Sequence, residues 1–184
     1  MTTASGERPV IVLIGPMGAG KTSIGRRVAK ALGVPFVDTD AAVVRDHGPI
    51  EALFEAHGEA HFRSLEREAV ASAVATAERD GGVIALGGGA VLHAETQHDL
   101  AGHQVVLLTV PPERIASRIR GTNRPLLQAD DPIARWTEVY EQRRPLYERL
   151  ATTTFDTSVG PLQGVVDEIV TWVRATDQTA KEQV

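Results

Sequence analysis

The chain has 184 residues, 42% of them hydrophobic, and a net charge of −5 from nineteen Lys and Arg against twenty-four Asp and Glu. That length suits a single domain with core enough to need no staples, and the lack of cysteine rules out disulfides and thiolate metal sites and fits a reducing cytoplasm. The acidic balance argues against a nucleic-acid surface, while a polar stretch over 1–8 followed by an apolar run of only five residues predicts neither a signal peptide nor a membrane span.

In chain order, the first predicted element is a buried parallel strand, the unbroken β-branched and apolar run over 10–14. It leads into Gly15-Pro16-Met17-Gly18-Ala19-Gly20-Lys21-Thr22, which fits the phosphate-binding pattern G-x-x-x-x-G-K-[ST]. A helix follows, with Ile24, Val28, Ala31 and Leu32 on one apolar stripe. Strand, glycine loop and helix together are the context this motif requires. Its backbone N–H groups turn toward phosphate oxygens, and the helix adds its positive end. Lys21 then faces the β- and γ-phosphates and the Thr22 hydroxyl a Mg²⁺ ion. The whole chain holds three lysines against sixteen arginines, so a lysine at this position is not compositional drift. The stretch predicts a nucleoside triphosphate site.

Gly33 closes the first helix, and 34–38 reads as a second strand. Helical segments follow over 40–46, 50–56 and 59–79, separated by Gly48-Pro49 and by Gly58. A third strand over 83–86 ends at Gly87-Gly88-Gly89, a short helix precedes a fourth strand over 105–110, and Pro111-Pro112 opens another helix. The polar, patternless stretch 120–131 between two helices has the character of a mobile lid. A helix over 132–150, a fifth strand over 153–155 and a last helix over 162–174 complete the order, with a frayed tail expected from Thr176. Strands alternating with helices imply a parallel sheet covered on both faces.

Several side chains stand out for their chemistry. The second strand ends in Asp38-Thr39-Asp40, and residues two apart on an extended chain point the same way. Both carboxylates then face the sheet edge that carries the phosphate loop, one for a metal and the other for a substrate hydroxyl. The competing role for Asp40 is to cap the next helix, and Asp156 at another strand end is a weaker rival for the metal. Arg63 and Glu66 lie one helical turn apart and are placed to pair, which steadies a guanidinium aimed at an anion. His57 and His61 read as surface histidines, since no third ligand accompanies them. The glycine triplet lets a ligand approach bare backbone. Eight arginines and five acids lie between Arg114 and Arg149. That concentration in an acidic chain points to an anionic small molecule, with several of the eight belonging to a solvated helix face.

Together these residues resemble the shikimate kinases. The resemblance rests on GPMGAGKT at 15–22, DTD at 38–40, GE-x-x-FR-x-x-E over 58–66, LGGGAV at 86–91, RPLL at 124–127 and RRPLY at 143–147, and spans about 9–174. It implies an α/β fold of three layers, a phosphate-loop kinase with a five-stranded parallel sheet of order 2-3-1-4-5, similar to the nucleoside monophosphate kinases. It implies one domain, with a substrate-binding helical region at about 39–66, a mobile lid at about 119–131 and a polar tail at 176–184.

The implied activity is transfer of the γ-phosphoryl of ATP to the 3-hydroxyl of shikimate, in a cytoplasmic monomer that uses Mg²⁺. Gly18, Ala19, Gly20, Lys21, Thr22 and Ser23 correspond to the nucleotide loop. Asp38 matches the aspartate that reaches Mg²⁺ through water, beside Thr22. Asp40 matches the one that holds the ring hydroxyls and is a candidate to take the attacking proton. Arg63 and Arg143 correspond to the two arginines on the shikimate carboxylate, and Gly87, Gly88 and Gly89 to the backbone that touches the substrate. Arg124 matches the lid arginine on the transferring phosphoryl. Arg118, with Arg120 as the alternative because the interval to Arg124 is one residue short, matches the arginine that stacks on adenine, and Pro161 its opposite face. A related gluconate or nucleotide kinase and a catalytically inactive ATP-binding module are the two alternatives. Arg63, Glu66 and Arg143 argue against the first, and the joint presence of Lys21, Thr22, Asp38, Asp40 and Arg124 against the second.

Overall fold

The computed structural model describes residues 9–119 and 131–182. Five strands, β1 (Val10–Ile14), β2 (Phe36–Asp38), β3 (Gly82–Ala85), β4 (Gln104–Thr109) and β5 (Thr153–Asp156), form one parallel sheet in the order β2-β3-β1-β4-β5. The parallel sheet is the one the alternation of elements predicted, and its order is the one the resemblance implied. β1 lies at its centre, with Val12 opposite Ile84 on one side and Val105 on the other. Ile11 to Leu13 have no exposed surface, and β3 and β4 are nearly as apolar. Each such side chain contributes about 1.5–3 kcal/mol by leaving water, so a charge placed at Leu13 is the kind of single change this sheet cannot absorb.

Helices α1 (Lys21–Leu32), α2 (Thr39–His47), α3 (Ile50–Asp80), α4 (Ala94–Asp99), α5 (Pro112–Ile119), α6 (Pro132–Leu150) and α7 (Leu162–Glu182) cover the two faces, with a 3₁₀ turn at Ala90–Leu92. α1 buries Ile24, Gly25, Val28 and Ala29. Ala31 is exposed, because the 3.6-residue period brings Gly25 and Ala29 round to the sheet in its place. The two segments expected over 50–79 form one helix, α3, kinked at Gly58, whose φ of 80° is one that L side chains rarely adopt. Val43, Leu53 and Phe62 make a small second core beneath α2 and α3.

α7 does not end at Arg174. It runs to Glu182, so the frayed tail expected from Thr176 is corrected. Its apolar face, Val165, Val166, Ile169, Val170 and Val173, is buried as expected. Beyond Arg174 the helix is held by Gln104, whose Nε2 donates to Asp177 Oδ1 at 3.0 Å. No helix among the described residues is long and apolar enough to cross a membrane.

Candidate active site

All five strands run parallel, so their C-terminal ends share one edge, and the cleft forms there. β1 feeds the phosphate loop into α1, which starts from Gly20 in the left-handed region. Lys21 Nζ donates to Gly15 O at 2.8 Å and Pro16 O at 2.9 Å, so its ammonium lies across the loop it belongs to. Thr22 Oγ1 donates to Asp38 Oδ2 at 2.5 Å. Gly18, Gly20, Lys21, Thr22, Ser23, Asp38, Asp40, Gly88 and Arg118 line a single cleft of about 440 Å³. Ala19 does not; it is fully buried and its N–H is turned into the loop, onto Pro16 O at 3.3 Å.

The pair Asp38 and Asp40 reaches the cleft by a different route from the expected one. The strand stops at Asp38, and Thr39 already begins α2. Asp38 is the helix N-cap, its Oδ1 accepting from Ala41 N at 3.0 Å, so the capping role weighed for Asp40 falls to its neighbour. A short polar side chain in extended backbone before a helix is what that position favours. Thr39 between them is fully buried, accepting from Gly87 N at 3.1 Å and donating to Ala85 O at 3.4 Å. Asp156 turns back onto Ser158 N at 2.8 Å and is not among the residues lining the cleft.

A cluster of charged side chains adjoins Asp40 across Gly87. Arg63 Nη1 donates to Glu66 Oε2 at 2.7 Å and Nη2 to Glu59 Oε1 at 3.1 Å, so the guanidinium is held from both sides along α3. Burial alone would loosen its proton, but the two glutamates outweigh that and its pKa is raised. Glu66 is only 3% exposed, and burial pushes its carboxyl up, helped by the Asp40 charge and opposed by Arg63 and Arg143. The glycine triplet leaves room for these groups. A Cβ on Gly87 would collide with Asp40 Oδ1 and Glu66 Oε1, and one on Gly89 with the Arg63 guanidinium. Arg143, half-buried on α6, is near enough for its charge to favour the ionised forms of Glu66 and Tyr147. The pairing of Arg63 with Glu66 was legible from their spacing, and the structure carries it out.

At the other end of the cleft, Arg118 Nη1 donates to Gly18 O at 3.2 Å and Thr157 Oγ1 at 3.0 Å, and Nη2 to Thr157 O at 2.7 Å. This ties α5 to the phosphate loop and to the end of β5. Pro161 is exposed at the start of α7; its neighbour Leu162 is the residue that lines the cleft. Arg120, Arg124 and the RPLL stretch lie outside the described residues. Of the remaining arginines, Arg135 pairs with Glu138 and Arg144 with Glu141 and Glu148 on the surface, the solvated face expected. His57 and His61 pack ring against ring at 4.8 Å, and no group of metal-binding side chains occurs among the described residues.

Residues that sequence reasoning gave no role support the site from behind. Trp136, 1% exposed, donates Nε1 to Met17 O at 2.9 Å, and Tyr147 donates its hydroxyl to Gly88 O at 2.5 Å. One helix, α6, thus holds both the phosphate loop and the glycine triplet. The available signal was that buried Trp and Tyr need partners for their polar ends.

Comparison with known proteins agrees with this geometry. The shikimate kinase family model matches residues 17–174. A shikimate kinase of Salinispora arenicola is 50% identical over 148 residues, 79% of this chain and 86% of that protein. One from Mycobacterium avium is 45% identical over 171 residues, covering 92% and 96%. The structure of a shikimate kinase from Acinetobacter baumannii in complex with shikimate superposes with a TM-score of 0.87 at 35% identity, over 94% of this chain and 97% of that one. A gluconokinase from Sinorhizobium meliloti, at 20% identity and a TM-score of 0.63, shares the fold. The chain belongs to the shikimate kinase family.

Proposed function

We propose that this protein transfers the γ-phosphoryl group of ATP to the 3-hydroxyl of shikimate, giving shikimate 3-phosphate on the route to the aromatic amino acids. The observation that carries the reading is the meeting of two half-sites at Asp40. Its carboxylate lines the cleft with Lys21 and Thr22, and it also packs with Glu66 around Gly87, next to Arg63.

The roles follow from charge and reach. Lys21 leaves its carbonyls to meet the β- and γ-phosphates. The Thr22 hydroxyl and the Asp38 carboxylate, adjacent hard oxygen donors at the cleft, fit Mg²⁺. Bound there, the ion neutralises phosphate charge. Arg63 and Arg143 bind the substrate carboxylate. Asp40 orients the attacking hydroxyl and accepts its proton, a modest contribution because the phosphoryl transition state is loose. Arg118 lies under the adenine with Pro161 at its margin. Arg124 folds over the transferring phosphoryl from a lid at about 119–131, against a substrate region at about 39–66, so its contribution falls on turnover. We take the enzyme to act as a cytoplasmic monomer.

The test is phosphate transfer from ATP to a panel of hydroxy acids that includes shikimate, quinate and gluconate, with and without Mg²⁺. Shikimate is expected to react fastest. Faster transfer to gluconate would overturn the substrate assignment, and ATP binding without transfer to any acid would leave an inactive module.

A further inference from the structure

We propose that Thr39 is a positioning residue for the substrate side of the site, its hydroxyl setting how the Asp40 carboxylate stands against the glycine triplet. This rests on the reading of Asp40 as the group that meets the attacking hydroxyl. β2 and β3 pair in parallel, with Phe36 opposite Val83 and Asp38 opposite Ala85. Val83 N donates to Pro35 O at 2.9 Å, and a parallel ladder repeats such bonds at even spacing, every second residue. Two steps on, Gly87 N would meet the carbonyl of residue 39. By then the chain has turned into α2, and that carbonyl is directed along the helix. The Thr39 hydroxyl stands in for it, accepting from Gly87 N at 3.1 Å. Its own proton goes to Ala85 O in a longer contact of 3.4 Å. Thr39 has no exposed surface and Gly87 is buried, so water does not offer either group a replacement partner.

What the hydroxyl holds is the approach of Asp40 to the triplet. A Cβ on Gly87 would collide with Asp40 Oδ1 and Glu66 Oε1, so both carboxylates close on the residue whose N–H Thr39 takes. Leu86 N donates to Leu13 O at 3.0 Å and ties the end of β3 to β1, whereas the Gly87 bond ties the triplet to the start of α2. Asp38 is held separately, by its place opposite Ala85 and by its bonds to Thr22 and Ala41 N. The Thr22 side of the cleft therefore does not depend on the Thr39 hydroxyl. Valine has nearly the shape of threonine and would leave the Gly87 N–H buried without its acceptor. Serine keeps the hydroxyl and gives up only a methyl group.

Thr39→Val and Thr39→Ser are compared with the parent and with Asp40→Asn, by steady-state kinetics with each substrate varied and by melting. Thr39→Val is expected to raise KM for shikimate about fivefold and to lower kcat by a similar factor, on the scale of one hydrogen bond. KM for ATP is expected to change by less than about twofold. Thr39→Ser is expected to keep all three constants within about twofold of the parent, although its melting temperature falls with the lost methyl. A lower melting temperature in Thr39→Val with kinetic constants like the parent's overturns the proposal. So do equal kinetic losses in the two variants, or a loss carried by KM for ATP. Should Thr39→Val not fold, Thr39→Ala against Thr39→Ser isolates the hydroxyl in a smaller side chain; about a fivefold difference in shikimate KM is expected, and equal constants overturn the proposal. If Asp40→Asn leaves both kcat and shikimate KM untouched, the reading of Asp40 fails and takes this proposal with it. If Asp40→Asn impairs transfer and Thr39→Val does not, only the proposal fails.

Discussion

The two halves of the proposed site, one for the nucleotide and one for the acid, are built by opposite means. The nucleotide half is mostly backbone: a loop between β1 and α1 whose glycines and N–H groups lie within eight consecutive residues. The acid half is mostly side chain, drawn from α3, the glycine triplet and α6, with Asp40 from α2 on the border. A backbone site tolerates almost any flanking sequence and leaves a contiguous signature. A side-chain site needs three or four separate elements to arrive together. Damage to the first is expected to stop chemistry with little change in the fold, and damage to the second to act on the affinity for one substrate.

Lys21→Ala tests the first half most severely. Turnover is expected to fall on the order of 10³ or more, as for loss of a phosphate-stabilising charge, while the melting temperature stays within a few degrees, since the ammonium rests on loop carbonyls at the surface of the cleft. Unchanged turnover would remove the loop from the mechanism. Asp40→Asn probes the border. It keeps the shape and removes the charge, and kcat is expected to drop by about 10² if the carboxylate takes the proton. A loss of only a few-fold would make Asp40 an orienting group, and a change confined to KM for shikimate would assign it wholly to the acid half.

Arg63→Lys belongs to the acid half alone. It retains the positive charge but not the planar fork that Glu66 and Glu59 hold. Shikimate affinity by calorimetry is expected to weaken by about 1.5 kcal/mol, a little over tenfold, with ATP affinity unchanged. Weaker ATP binding with normal acid binding would exchange the two pockets.

Glu66→Gln carries the smallest effect. A carboxyl whose pKa is raised by folding binds its proton more tightly in the folded state. Its contribution to stability is therefore full below its ordinary value of 4.5 and declines as pH rises from there through the raised value. Glutamine has no such decline. The melting temperature of Glu66→Gln relative to the parent is expected to climb over that interval, with shikimate KM up a few-fold as Arg63 loses one of its two holders. A pH-independent difference would mean that Glu66 is not perturbed in the fold.

The same contrast explains what could be read before the structure was in hand. The phosphate loop, the alternation of strands and helices and the Arg63–Glu66 pair all rest on short-range spacing, and each survives. The order of strands and most side-chain roles came through family resemblance, because topology and pocket geometry are long-range properties. Where a local rule was pressed too far, it slipped. Asp38 and Asp40 were placed on one extended strand, but the chain turns into α2 between them. The tail after Arg174 looked polar enough to fray, yet Asp177 finds Gln104 across the molecule. Trp136 and Tyr147 carried no local sign of whose carbonyl they would reach.

The central position of β1 has a consequence for how the molecule comes to be made. The loop that follows this strand is encoded near the start of the chain, but what holds it comes much later. Gly15, at a φ of 135°, lies so close to Leu108 O that no Cβ would fit; Gly18 O takes Arg118 and Met17 O takes Trp136. A chain emerging N-terminus first therefore carries its phosphate-binding segment without its supports until α6 is available. Long-range parallel pairing of this kind folds slowly. Nucleotide present during refolding is thus expected to leave the early steps unaffected and to stabilise only the assembled product, whereas a chain truncated before Trp136 would contain the complete motif and bind ATP poorly.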